Sequence, residues 1–124
     1  MAQTVTSRTQ LGVQLTSVVN SEQTLSADLD LRTRYGAQIE VVINSDQATP
    51  TDAIICRIRL SMDDTNYSTD PWQTFTMGPP PDTNDFRRLF NLSSGLWYVR
   101  FGFLADGSTD TYTVDVFEGQ ISGI

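Results

Sequence analysis

The sequence predicts an all-β fold, an antiparallel two-sheet sandwich of about seven to nine strands. Three observations carry that expectation. Short runs rich in β-branched and aromatic residues recur at roughly 8–12-residue spacing, divided by Asp, Asn, Ser, Gly and Pro. Within most runs the apolar residues occupy every second position, the period of a strand with one buried face. No window holds a convincing long helical period. So many one-sided strands need an apolar surface to meet, and a second stacked sheet supplies it.

The elements follow in order. Residues 1–10 are polar and Thr-rich, and are read as a flexible N-terminal arm ahead of a single sandwich domain spanning 11–124. Leu11, Val13 and Leu15 alternate loosely, giving a first strand within Leu11–Val19. The next run alternates cleanly, with Leu25, Ala27, Leu29 and Leu31 against Ser26, Asp28, Asp30 and Arg32. After Tyr35-Gly36, Ile39, Val41 and Ile43 share a face, and Pro50 marks the following break. In Ala53–Met62 the apolar face is Ile54, Cys56, Ile58, Leu60 and Met62. A polar loop, Asp63–Pro71, leads to a short strand over Trp72–Met77, and Gly78-Pro79-Pro80-Pro81 must break regular structure. Phe86–Leu92 reads as a strand.

The heaviest apolar stretch is Leu92–Phe117. Trp97, Val99, Phe101 and Phe103 fall on one face of its first run, and Tyr112, Val114 and Val116 on one face of its second. Asp106-Gly107 lies between them, so the expectation is an antiparallel hairpin at the centre of the core. Glu118–Ile124 is read as a short tail.

Composition restricts the chemistry. The 124 residues suffice for one closed core without disulfides or metals. A formal charge of −7 sets the chain against phosphate backbones and anionic lipid, so neither nucleic acid nor membrane is an expected partner. All eight basic residues are Arg, and there is no Lys or His. The chain therefore lacks the usual neutral-range acid–base group, the commonest metal ligand, the Schiff-base amine and the phosphate-loop Lys. The single cysteine, Cys56, has Ile and Leu neighbours and reads as a small core hydrophobe. No apolar run approaches the ~20 residues that span a bilayer, and the first residues lack the apolar centre of a secretory signal, so the chain is expected to stay where it is translated.

Two loops imitate calcium-binding spacing. Asp64, Asn66 and Ser68 alternate suitably, but Thr69 stands where an EF-hand needs Gly and Phe75 where it needs Glu. Asp106, Ser108 and Asp110 repeat the pattern, and turn chemistry alone asks for such residues. Neither is taken as a metal site, and no cofactor is expected. Paired carboxylates, Asp63 with Asp64 and Asp28 with Asp30, lie in polar loops or on a solvent face, where they read as solvated charges rather than a hydrolytic pair.

Three blocks resemble a known group. SADLDLRTRYGAQIEVVINSD and then RIRLSMDDTNYS resemble the small immunoglobulin-like structural proteins of tailed bacteriophages. Leu92-Ser-Ser-Gly95 followed by Tyr98-Val-Arg-Phe101 is similar to the strand entry of immunoglobulin-like and fibronectin-like domains, the three in matching order and spacing, which implies an immunoglobulin-like sandwich. That resemblance implies a non-enzymatic virion component made in the host cytoplasm, most simply a decoration or cement subunit on the outer surface of a phage head. It implies the major capsid protein or another virion protein as partner, and a homo-oligomer on the particle. It also implies a tyrosine-corner role for Tyr98. An alternative is a carbohydrate- or receptor-binding module of a tail, neck or fibre, using Tyr67, Trp72 and Asn66. The candidate interface comprises Tyr67, Trp72, Phe75, Pro79, Pro80, Pro81 and Arg8, since aromatics and Arg dominate docking energetics.

Overall fold

The computed structural model describes residues 4–5 and 8–122. Eleven strand segments make up two antiparallel sheets. They are β1 Thr4–Val5, β2 Thr9–Gln10, β3 Leu15–Val18, β4 Gln23–Thr24, β5 Leu29–Asp30 and β6 Gly36–Ser45. After these come β7 Ile54–Ser61, β8 Gln73–Met77, β9 Phe86–Ser93, β10 Tyr98–Ala105 and β11 Tyr112–Ser122. In the first sheet β1, β2 and β3 run in turn along one edge of β11, β6 pairs with its other edge, and β9 lies outside β6. In the second, β4 and β5 share one edge of β10, followed by β7 and then β8.

Merging the segments that share an edge leaves eight strand positions, four in each sheet. The expected antiparallel all-β sandwich is what the chain forms. Its strand order is that of a jelly roll, with the last two strands in opposite sheets, whereas immunoglobulin domains keep their last two in one sheet.

The alternation seen in the sequence becomes the core. Ile39, Val41 and Ile43 of β6 with Tyr112, Val114 and Val116 of β11 face Ile54, Cys56 and Ile58 of β7 and Val99, Phe101 and Phe103 of β10. None of these side chains is more than 1% exposed. Each large one stabilises the fold by about 1.5–3 kcal/mol relative to exposure. Phe75 adds an edge-on ring to Phe90, centroids 4.9 Å apart, and Phe90 continues to Phe101. Where β8 and β9 border the sandwich, Arg88 stacks over Phe75 and donates to the Thr76 carbonyl, tying one sheet to the other.

Several expectations need correction. The two runs of Leu92–Phe117 are strands, but they are not a hairpin: β10 belongs to the second sheet and β11 to the first. Period two says that each run has a buried face; here those faces meet across the core. The intervening loop bonds outward instead of across itself. Asp106 exchanges bonds with Ala53, its N–H donating to the Ala53 carbonyl and its Oδ1 accepting from the Ala53 N–H.

Trp97 and Met62 follow strand parity in the sequence, yet they lie just past the strand ends and are 45% and 75% exposed. Within Leu11–Val19 only Leu15–Val18 is strand; Gly12 and Ser17 take positive φ, and Val13 turns outward. The expected tail is strand as far as Ser122, paired with Gly36 through Ile39 of β6 and with β1. Residues 4–5 and 9–10 of the expected arm lie along β11; 1–3, 6–7 and 123–124 fall outside the described residues. Tyr98 does not act as a corner tyrosine. Its ring stacks under Arg32, and the tyrosine that ties backbone is Tyr112, whose hydroxyl donates to the Asp52 carbonyl.

Candidate functional site

Because β6, β7, β10 and β11 traverse the whole sandwich, the molecule has two ends. One gathers the loops 62–72 and 94–97; the other gathers 46–53 and 106–111. The first end holds an open cleft of about 610 Å³ lined by Leu60, Ser61, Met62, Asp63, Asn66, Gly95, Leu96 and Trp97. Leu60 and Leu96 back onto the core, while Met62 and Trp97 project into solvent. The walls are mainly apolar, and three polar residues, Ser61, Asp63 and Asn66, complete the lining.

Local sequence explains each wall. Past Ser61, Asp63 folds the loop around its own carboxylate. Oδ1 accepts from the Thr65 and Asn66 N–H groups, at 2.9 and 2.8 Å, and from the Ser61 hydroxyl; Oδ2 accepts from Asn66 Nδ2. Those backbone donors hold the Asp63 carboxyl far below the usual carboxylate range. It stays a full, solvated negative charge. On the other wall Trp97 has φ of 50°, left-handed for a bulky L-residue, at a cost of roughly 1–2 kcal/mol. Its carbonyl accepts from the Leu31 N–H at 2.6 Å, which pins that backbone. A left-handed backbone that turns an indole to solvent beside apolar walls makes this cleft the candidate site.

Other surfaces are spent on internal pairing. On the outer face of the second sheet, Arg100 makes two 2.9 Å bonds to Asp28 and stacks on Tyr67, whose hydroxyl donates to Asp64 at 2.5 Å. Glu22 bridges Arg57 and Arg59, lying over Gly102, where a Cβ would come within 2.6 Å of its carboxylate. Arg32 binds Asp30 and Arg34 binds Glu118. Each of the eight arginines is ion-paired or, for Arg88, stacked on an aromatic ring. The surplus charge left to solvent is therefore acidic.

No protein-family model matches this chain, and no curated relative does.

The sequence-selected residues do not form one patch. Tyr67 is half-buried under Arg100, and Trp72 is 47% exposed beside β7, its N–H bonded to the Ile58 carbonyl. Phe75 is partly buried and packs against the core, Pro80 is buried, and Pro79 and Pro81 are exposed in the connection to β9. Arg8 is on the outer face of the other sheet, bonded to Glu40 and stacked on Phe117. The cleft residues Met62, Leu96 and Trp97 were missed because strand periodicity assigned Met62 and Trp97 to the interior. Gly95 was the available signal, since a glycine beside a strand start marks a turn with positive φ, here 93°, at the boundary where Trp97 leaves strand parity.

Proposed function

We propose that the chain is a non-enzymatic structural protein of a phage particle, a decoration or cement subunit that seats on the head through the end bearing the Trp97 cleft. The observation that carries this reading is the apolar cleft itself: Trp97 and Met62 held in solvent on walls fixed by the Asp63 loop and by strained backbone. An exposed indole and thioether over apolar walls is suited to receiving side chains of another protein surface. The jelly-roll order is compatible with this role, although the fold hosts many others. A capsid protein is the proposed partner, and binding proceeds by burial of apolar surface rather than by chemistry.

Co-sedimentation with particles lacking the subunit tests it. Wild type pellets with the particles, and Trp97→Ala, folded by circular dichroism, loses at least tenfold in affinity. Wild type remaining in the supernatant at all concentrations refutes the proposal. A second reading, a glycan- or receptor-binding module of a tail or fibre, draws on Trp72 and Trp97, both about half-exposed, with Asn66 nearby in sequence to Trp72 and in the cleft wall with Trp97. Saturable binding on a glycan panel, lost in Trp97→Ala, would move the assignment to that module.

A further inference from the structure

The opposite end of the sandwich carries four acidic residues: Asp46, Asp52, Asp106 and Asp110. Two of them are locked to each other's backbone. Asp110 Oδ2 accepts from the Thr51 and Asp52 N–H groups at 2.8 and 2.7 Å, and Asp52 Oδ2 accepts from the Thr109 and Asp110 N–H groups at 2.9 and 2.8 Å. Asp110 is 1% exposed and Asp52 7%. Asp46 accepts from the Thr111 N–H, and Asp106 from that of Ala53. All four raise the pKa of the Tyr112 hydroxyl, so their fields overlap in one place.

No described arginine forms an ion pair with any of the four. A buried carboxylate needs a compensating charge or a full set of donors. Asp110 has neither on one side: its Oδ1 is buried without a hydrogen-bond partner, alone in this among the described side chains. The Asp52 carboxylate lies directly against Gly107, so close that a Cβ at position 107 would clash with its Oδ1. The Asp106-Ser108-Asp110 spacing, which turn chemistry explains in the sequence, here delivers a buried oxygen with nothing to bind.

We propose that the Asp52–Asp110 pair binds a divalent cation of the calcium class. Hard cations take carboxylate, carbonyl and water oxygens, and calcium tolerates irregular sets of them. Among the described residues no three acidic, histidine or cysteine side chains are placed to hold one metal ion. The site is therefore built on two carboxylates, with loop carbonyls and water completing the shell, and its affinity belongs to the weak range, Kd about 10⁻⁴–10⁻³ M. A cation there cross-links the 51–53 loop to the 106–110 loop, the two segments that join β7 and β10 to the other sheet.

The test uses the full chain stripped with chelator. Terbium luminescence, sensitised through Tyr112, reports binding directly in wild type. Thermal melts in 10 mM calcium chloride are compared with melts in sodium chloride of equal ionic strength. Sensitised emission displaced by calcium is expected, with Tm raised by about 5–10 °C. Asp110→Asn keeps the shape and the acceptor for the loop N–H groups and is expected to abolish both signals. If wild type gives no sensitised emission and no calcium-dependent shift, the proposal is overturned. Signals that persist unchanged in Asp110→Asn overturn it as well, since the ion would then sit elsewhere. Asp110→Asn melting above wild type, with calcium inert, overturns it too, since the carboxylate would then be a net cost to the fold and not a ligand.

Discussion

Tyr112→Phe removes one buried oxygen and leaves the ring in place. The Tyr112 side chain is fully buried at the start of β11, and its hydroxyl donates to the Asp52 carbonyl. Deleting it forfeits that bond and leaves a buried carbonyl short of a donor, a loss of about 1–2 kcal/mol at pH 7. With an unfolding entropy near 2.1 cal/mol/K per residue and 124 residues, that loss lowers Tm by roughly 4–8 °C.

The same hydroxyl also makes an alkaline prediction. Burial first, then the fields of Asp110, Asp52, Asp106 and Asp46, raise its pKa above the ordinary value of 10.0. The fold thus favours the neutral phenol. Its contribution is fully present below about pH 10 and falls as pH rises towards the folded value, at up to ~1.4 kcal/mol per pH unit. Tyr67, raised by its burial and by its bond to Asp64, contributes in the same direction. Urea melts at neutral pH and above pH 10 separate the two: Tyr112→Phe starts lower and then declines less steeply than wild type. Equal stability at pH 7, or parallel alkaline slopes, would refute the assigned hydrogen bond and its burial.

Three further outcomes are expected. Cys56 is completely buried, and that burial pushes its thiol well above the usual range, so a thiol reagent should label it only at the rate of unfolding; rapid labelling of native protein would contradict the packing. Trp72 and Trp97 are 47% and 45% exposed, so emission should be that of solvated indole and quenched by acrylamide, with Trp97→Phe removing a large share of it; a blue-shifted, unquenched spectrum would place one ring inside. Arg32 lowers the Asp30 carboxyl to about 2, so the stability it lends is present above its ordinary value of 3.8 and disappears as pH falls from there towards 2. Arg32→Gln should remove that small component of the acid limb, and an unchanged acid titration would show that the pair adds nothing.

Period two made most of the interior legible. It located the buried faces of β6, β7, β10 and β11, because a strand buried on one side must alternate. It could not locate partners. The residues of β10 and β11 alternate identically whether the strands pair or face each other, and the Asp106-Gly107 turn suits either geometry. What decides is the bonding of Asp106 to Ala53 and of Asp110 to Thr51 and Asp52, residues more than fifty positions upstream. Trp97 shows the second limit. Its parity matches Val99, but a left-handed backbone at the strand boundary reverses its direction, and apolar spacing does not encode φ. The acidic end was half visible: the Asp spacing could be read, whereas its burial depended on Asp52 arriving from another loop.

The separation of β10 from β11 also bears on how the molecule is made. Among the described segments only β7 and β8 are neighbours both in sequence and in a sheet as a simple hairpin; the later connections each carry the chain to the opposite layer. Little of this sandwich can zip up locally, so most of the loop-closure entropy is spent before β11 finds β6 and the N-terminal segments. Folding on the millisecond-to-second scale follows. During that interval β10 and β7, the most apolar strands, are exposed to one another's copies on neighbouring chains, and the arginines on their outward faces then serve to keep those copies apart.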